Sequence, residues 1–148
     1  MKVLLSIKPQ FAEKIFNGTK KYEFRRAIFR NKDVKTVIVY ASSPIQQVIG
    51  EFEIEEIIED DILSLWDETK KHSGIEKDFF FKYFSNKKKG FAIKIKKTTK
   101  YKHTLCIKKD FNIEYPPQSF IYLPAQLKIN TGKRASARPV LQRLGTGI

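Results

Sequence analysis

The segment at residues 18–26, GTKKYEFRR, predicts a strand and is the point from which we interpret the rest of the chain. Its two aromatic residues alternate with charged ones, and on a strand this spacing puts Lys21, Glu23 and Arg25 on one face. The aromatic face is expected to lie against a core, and the charged face to line a surface. A single acid among several bases makes this the first place to look for a functional site.

The residues before this strand predict a helix and an earlier strand. Residues 10–17 carry apolar side chains at helical spacing, Pro9 suits a first turn and Gly18 suits a helix end. Residues 3–7 are an apolar run that predicts a short buried strand.

The residues after it predict a sheet interrupted by two helices. Strands are expected at residues 36–40 and 48–54, the second continuing to residue 59. Asp61 is a candidate N-cap for a helix at residues 62–72, and the capping-box pattern of residues 73–76 opens a second helix. Alternating residues predict a β-hairpin made of residues 91–96 and 101–108 and a last strand at residues 118–123.

This order of elements predicts an α+β domain with a mostly antiparallel sheet curled into a partial barrel. A helix follows the first strand, and the two-helix insert precedes the hairpin. We assign residues 1–123 to this domain. Residues 124–148 contain basic but no acidic residues and lose the periodicity, so we expect a disordered basic tail, with sequence foreign to the domain as the alternative.

Composition favours a polyanionic partner. The chain has 148 residues and a formal net charge of +13, which favours nucleic acid first and an anionic membrane surface second. No apolar run is long enough to cross a bilayer, so we expect no membrane partner. The single cysteine, Cys106, excludes an internal disulfide and suits a reducing cytoplasm.

Motifs for metal or cofactor chemistry are absent from the sequence. His72, His103 and Cys106 lack the spacing of metal ligands, and there is no CxxC pair. Neither a P-loop nor a GxGxxG fingerprint occurs. We therefore expect no metal and no cofactor.

Several stretches resemble the ASCH domain, a branch of the PUA-like superfamily. The opening resemblance lies in residues 6–9, 11–12, 15, 18, 20, 23 and 25, and weaker matches lie in residues 40–44, 49–52 and 116–119. The resemblance covers residues 1–123 and implies a small PUA-like β-barrel with a helix after the first strand. It also implies that RNA or another nucleic acid binds in a cleft beside that helix.

Some ASCH proteins are enzymes, which leaves a second function open. They include amidohydrolases that remove the acetyl group of N4-acetylcytidine, and a ribonuclease. The amidohydrolase motif has a lysine two residues after the glycine, which corresponds to Lys20, and a threonine three residues further on. Here that position is Glu23, and this departure puts the deacetylase chemistry in doubt.

Three interpretations of Lys20, Glu23 and Arg25 stay open. Glu23 accepts hydrogen bonds from the amino edge of a base while the two cations bind phosphate or carbonyl oxygens. Alternatively, Lys20 and Glu23 are a catalytic acid–base pair. In the third interpretation the charges form a structural ion pair.

Other residues are candidates around the same cleft. Lys8, Lys21 and Arg26 are expected to supply a positive field rather than specific contacts. Tyr40 either stacks on a base or packs in the core. Further candidate contacts come from Ser42, Ser43, Gln118 and Ser119. The expected partner is nucleic acid, RNA rather than DNA; the ligand and the oligomeric state stay open.

Overall fold

The computed structural model describes residues 1–124, 140–142 and 147–148. Its strands are β1 (Lys2–Ile7), β2 (Tyr22–Arg25), β3 (Thr36–Ala41), β4 (Gln47–Asp61), β5 (Lys89–Leu105), β6 (Phe120–Leu123) and β7 (Val140–Gln142). Its helices are α1 (Pro9–Phe16), α2 (Ile62–Thr69), α3 (Lys77–Tyr83) and α4 (Ile107–Phe111), with a 3₁₀ turn at Lys70–His72.

The strands form one open sheet in the order β2-β5-β4-β3-β1-β6-β7. The pair β1–β3 is parallel and the other neighbouring pairs are antiparallel, so the α+β class and the mostly antiparallel sheet are confirmed. The predicted barrel is wrong, because β2 and β7 lie at opposite edges of the sheet. Irregularities in the β4–β5 register bend the long strands without bringing those edges into one ladder.

The predicted β-hairpin is also wrong. Residues 97–100, expected to turn, lie inside β5, a single strand of 17 residues that pairs with β4 along most of its length. The sequence there is Lys-Thr-Thr-Lys, which lacks the Gly or Asn of a tight turn and contains two β-branched residues that favour a strand. The end of the supposed second strand is instead the short helix α4.

The acidic and basic segments of the sequence are neighbours in the sheet. Glu53 lies opposite Lys97, and Lys94 Nζ lies 2.9 Å from Glu55 Oε2. The acidic stretch therefore faces a basic strand and does not form a free acidic edge. Ion pairs as exposed as this one contribute little to stability, so their main effect is to fix which strands pair.

Two apolar clusters lie on the two faces of the sheet. Val3 and Leu5 belong to the larger cluster and Leu4 to the smaller one, as expected for alternating residues of a strand. Helices α1, α2 and α3 pack on the larger cluster, and α4 packs on the smaller one through Ile107 and Phe111. The charged residues of β2 lie at the border of the larger cluster.

The helix signals in the insert were correct in one case and wrong in the other. The Asp61 side chain accepts a hydrogen bond from the Ser64 backbone N–H at 2.9 Å, which confirms the predicted N-cap. The predicted capping box is wrong, since α3 begins after Glu76 and the Ser73 hydroxyl donates to the Ile75 carbonyl. Ser73 instead ends the preceding turn.

The tail at residues 124–148 contains described structure. Strand β7 pairs with β6, and Ile148 is buried in the larger cluster, which differs from the predicted disorder. Its Val-Leu-Gln sequence suits a short strand on the open edge of β6. Residues 125–139 and 143–146 lie outside the described part of the chain. Within the described part, no helix has the length and apolarity needed to cross a membrane.

Candidate functional site

Three charged side chains are almost fully buried where α1 meets β2. Lys20, Glu23 and Arg25 are 1%, 0% and 1% exposed. The prediction that the charged face of β2 lines a surface is therefore wrong for Glu23 and Arg25, although Lys21 is exposed. The sequence cannot show this burial because the covering segments come from distant parts of the chain.

Arg25 links the strand to the far side of the sheet. Its Nη1 lies 3.4 Å from Glu23 Oε2, and its Nη2 donates a hydrogen bond to Ser119 Oγ at 3.0 Å. Ser119 is 1% exposed and immediately precedes β6. The structure thus brings together three of the residues predicted from the sequence, although 94 positions separate Arg25 from Ser119.

Lys20 is held by a carbonyl group and two aromatic rings. Its Nζ donates to the Ser73 carbonyl oxygen at 2.9 Å and lies 4.7 Å from the centroid of the Phe24 ring. The Phe11 ring centroid is 5.6 Å away. Both rings offer their negative faces to the ammonium, which partly replaces its lost hydration.

Gly74 permits this close packing. Its φ is +69°, and a Cβ atom there would lie 2.5 Å from Lys20 Cβ. A side chain at this position would therefore be strained and would also displace the lysine. The capping-box pattern of residues 73–76 predicts a helix start at Ser73 and Gly74 and does not indicate their contact with Lys20.

Burial shifts the pKa values of Glu23 and Lys20 towards 7. Burial raises the pKa of Glu23 to about 7, against the opposing effect of Arg25 and Lys20. Burial lowers the pKa of Lys20 to about 8, against the opposing effect of Glu23. Such shifts of neighbouring groups are typical of functional sites, because they allow a proton to move near neutral pH.

One oxygen of Glu23 has no hydrogen-bond partner among the residues that the structure describes. Within the described residues, Oε1 is buried and unpaired, while Oε2 faces Arg25. An unpaired buried acceptor costs about 1–3 kcal/mol, and proteins rarely keep one without a reason. The Glu23 carboxylate can therefore accept a hydrogen bond from a ligand.

Residues 147–148 cover the side chains of Glu23 and Arg25. Ile148 donates its backbone N–H to the Phe24 carbonyl at 2.9 Å and accepts from the Phe24 N–H. A Cβ atom on Gly147 would collide with Glu23 Oε2 and with the side chain of Arg25. The chain itself therefore closes the site, a feature that sequence analysis missed because it assigned this segment to a disordered tail.

Tyr83 borders the same cluster and was also missed as a site residue. Its hydroxyl donates to the Phe24 carbonyl at 3.4 Å, and burial raises its pKa to about 12. The sequence offered only its helical spacing with Phe79 and Phe80, which indicated a core position.

Other predicted residues lie outside the buried cluster. Tyr40 is 3% exposed in the smaller apolar cluster, which favours the core alternative over base stacking. Ser42 is half-buried in the turn after β3. Exposed positions are occupied by Lys8, Lys21, Arg26, Ser43 and Gln118. In the part of the chain that the structure describes, no three His, Cys, Asp or Glu residues are grouped as metal ligands would be.

Comparison with known families and structures identifies one domain type. The ASCH domain family model matches residues 5–111. The crystal structure of ASCH from Zymomonas mobilis superposes with a TM-score of 0.78 and 26% identity, covering 84% of this chain and 89% of that chain. A serine-to-alanine mutant of that protein gives a TM-score of 0.77 at 25% identity, with the same coverage.

Curated relatives are proteins of different kinds, and two of the three described here are longer than this chain. The large ribosomal subunit protein uL22 of Ureaplasma parvum serovar 3 is 32% identical over 122 residues, which cover 82% of this chain and 39% of that protein. The ATP synthase subunit alpha of the same organism is 29% identical over 122 residues, covering 82% of this chain and 15% of that protein. An ASCH domain-containing ribonuclease of Zymomonas mobilis is 30% identical over 89 residues, or 60% of each chain. The chain thus spans less than two thirds of each of these relatives.

Proposed function

Because the chain belongs to the ASCH domain family, we propose that it binds RNA and takes one unpaired nucleotide into the cluster of Lys20, Glu23 and Arg25. Two relatives support RNA as the ligand, since one is named a ribonuclease and another a ribosomal subunit protein. The formal net charge of +13 supports a polyanion.

The observation that carries this proposal is the unpaired oxygen of Glu23. The amino group of a nucleobase would donate to Oε1 and satisfy an acceptor that is buried without a partner. Arg25 and Lys20, on either side in the cluster, would contact carbonyl or phosphate oxygens of the same nucleotide. Discrimination between bases would come from Glu23, and the cations would add affinity.

Entry of a nucleotide requires residues 147–148 to move. Gly147 lies against both Glu23 and Arg25, at the position where a bound group would contact them. Two backbone hydrogen bonds and the burial of Ile148 hold this segment in place. A nucleotide would replace these contacts with its own.

Fluorescence anisotropy with short single-stranded RNAs tests the proposal. We expect Glu23→Gln to weaken binding about tenfold for RNAs that carry the preferred base, the cost of one lost specific contact. The matched control is Glu56→Gln, which removes one exposed carboxylate from β4 without touching the cluster. If both variants bind every RNA as the wild type does, Glu23 does not recognise the base.

A second candidate function is cleavage of RNA in the same cluster. The observation that favours it is the pair of pKa values near neutrality, about 7 for Glu23 and about 8 for Lys20. The carboxylate would take a proton from the attacking oxygen, and the ammonium would give one to the leaving oxygen. An amidohydrolase has less support, because Glu23 occupies the position of the threonine in that motif.

Incubation with labelled single-stranded RNA tests this second candidate. A ribonuclease would give products with the wild type, and Lys20→Met would remove the acid and abolish them. The matched control is Lys21→Met, which changes the exposed neighbour. Products that persist unchanged in Lys20→Met would come from a contaminant, and cleavage would then be rejected.

A further inference from the structure

We infer that a second nucleotide-binding subsite lies on the opposite flank of helix α1, in a pocket between α1 and β5 that we call the α1–β5 pocket. The inference rests on the proposed RNA-binding function and extends it to the next nucleotide of the same strand. The pocket has a volume of about 500 Å³, which suits one nucleotide.

Helix α1 separates the two sites. Phe11 and Lys14 point towards the buried cluster, since the Phe11 ring faces Lys20 and Lys14 Nζ donates to the Gly74 carbonyl at 3.0 Å. Glu13 and Phe16 line the α1–β5 pocket. At about 100° of rotation per residue these two sets fall on different flanks of the helix. One strand of RNA crossing the end of α1 would therefore reach both sites.

The apolar wall of the pocket includes a ring seated on glycine. A Cβ atom on Gly50 would lie 2.6 Å from Phe16 Cζ and 2.6 Å from the Thr99 carbonyl oxygen. Because Gly50 has no side chain, the Phe16 ring rests directly on the sheet. Ile45 and Ile49 complete this wall, and Ile45 is one of the exposed large apolar side chains, at 48%.

The lining of the pocket also includes an aromatic side chain, Tyr101, whose hydroxyl is held in place. The Tyr101 hydroxyl donates to Glu51 Oε1 at 2.8 Å across the β4–β5 pair. This bond anchors the ring end and leaves the ring itself to line the pocket. A ring held in this way supplies a stacking surface for a base at little cost in side-chain entropy.

Cations lie where the phosphate of a stacked nucleotide would be. Lys100 lines both the α1–β5 pocket and an adjoining groove of about 390 Å³, which also contains Lys102 and His103. The lysines are exposed and so are free to reach a phosphate. Glu13 also lines the pocket, and its carboxylate would accept a hydrogen bond from a base amino group.

Aromatic walls beside exposed lysines match an unpaired nucleotide better than a protein partner. A base stacks on the rings, and its phosphate neutralises Lys100 or Lys102, with the rest of the basic strand continuing the positive track. A peptide would satisfy the apolar wall, but it would leave the cations without a complementary charge unless it were acidic.

Binding measured as a function of RNA length tests the inference. Wild-type affinity should rise sharply when a mononucleotide is extended to short oligonucleotides, because the second base then reaches the α1–β5 pocket. Tyr101→Leu should reduce oligonucleotide affinity about tenfold, the value of one lost stacking contact. Tyr101→Phe keeps the ring and should retain most of the increase in affinity that comes with greater RNA length.

Lys88→Ala is the matched control for Lys100→Ala. Both remove one exposed lysine, and Lys88 lies just before the opposite end of β5. Lys100→Ala should reduce the gain with length by more than Lys88→Ala does. If Tyr101→Leu and Lys100→Ala match Lys88→Ala at every RNA length, the subsite does not exist.

Photocrosslinking separates this inference from the proposed function. Oligonucleotides containing 4-thiouridine should form crosslinks to Tyr101 or Phe16, located by mass spectrometry. Crosslinks there with unchanged mononucleotide binding in Glu23→Gln would support the pocket and reject the buried cluster as the reading site. An oligonucleotide that binds but forms no crosslink to either ring would overturn the second subsite alone.

Discussion

At the residue scale, the central feature is a carboxylate and an ammonium that are buried together without full compensation. In the described part of the chain, one oxygen of Glu23 is partnered and the other is not, and Lys20 has a carbonyl and two rings in place of water. The sequence identified both residues through their resemblance to a motif. It could not predict their burial or the contact with Ser73, because these depend on segments tens of residues away.

The burial of Glu23 predicts that the protein loses stability as pH rises through mildly acidic values. Its pKa is about 7 in the folded state and near 4.5 when unfolded, so the folded state binds more protons between these values. We expect the free energy of unfolding to fall by roughly 1–3 kcal/mol from pH 4.5 to 7.5. Glu23→Gln should flatten this slope in urea unfolding at several pH values.

Lys20 affects the free energy of unfolding at higher pH, and there the change with pH has the opposite sign. Its pKa is lowered to about 8, so the unfolded state binds more protons between about 8 and 10.5, and stability should rise there. Because the two pH ranges do not overlap, the slope below pH 7.5 reports on Glu23 without a contribution from Lys20. An unchanged slope in Glu23→Gln below pH 7.5 would mean that the carboxyl is not buried as described.

Gly74→Ala should destabilise the fold more than Gly18→Ala does. Both glycines have positive φ, +69° and +86°, so both substitutions strain the backbone by about 1 kcal/mol. Only at Gly74 would the new methyl group collide with Lys20, while nothing lies within 4 Å at Gly18. Urea unfolding of the two variants gives the difference, and equal losses would show that Lys20 can move aside freely.

At the element scale, the sequence predicted the elements whose signals are local. The helix after β1, strands β3 and β4, and the N-cap of α2 follow from periodicity and from one capping residue. The predicted hairpin was wrong because the alternation of apolar and polar residues continues through β5. The lack of a Gly or Asn turn residue was the one sequence signal against a hairpin. The capping box was wrong because Ser73 satisfies its own turn rather than α3.

Asp61→Ala should cost about 1 kcal/mol of unfolding free energy, the usual value for a lost N-cap. Its carboxylate accepts from both the backbone N–H and the hydroxyl of Ser64, at 2.9 and 2.8 Å. Asp67→Ala is the control, since it removes only an exposed contact with Lys70 from the same helix. Thermal or urea unfolding should show a smaller loss for the control, and equal losses would contradict the capping role.

At the scale of the whole molecule, the site depends on how distant segments close around β2. Ser119 and residues 147–148 come from the end of the described chain, and Ser73 comes from the insert. The resemblance to ASCH domains predicted the family correctly, and together with the positive charge it predicts RNA as the ligand, which stays a prediction. They could not predict the open sheet or the covering segment, since both depend on which strand edges meet.

Gly147→Val should open the buried cluster. A side chain there would collide with Glu23 and Arg25, so residues 147–148 would leave β2. Arg25 should then react with phenylglyoxal, and RNA should bind more tightly because the covering segment no longer competes. The adjacent Arg26, exposed already, is the internal reference in the same mass spectra. Arg25 that stays unreactive would show that other segments do the covering.

The pairing of Ile148 with Phe24 also affects how copies of the protein can associate. Strand β2 is the outer member of the sheet, and residue 148 occupies backbone groups on its free side. If that segment moves away on RNA binding, as proposed, those amide and carbonyl groups would become available to a strand of a neighbouring molecule. RNA binding would then favour self-association. The oligomeric state of the RNA-bound protein, rather than that of the free protein, would depend on protein concentration.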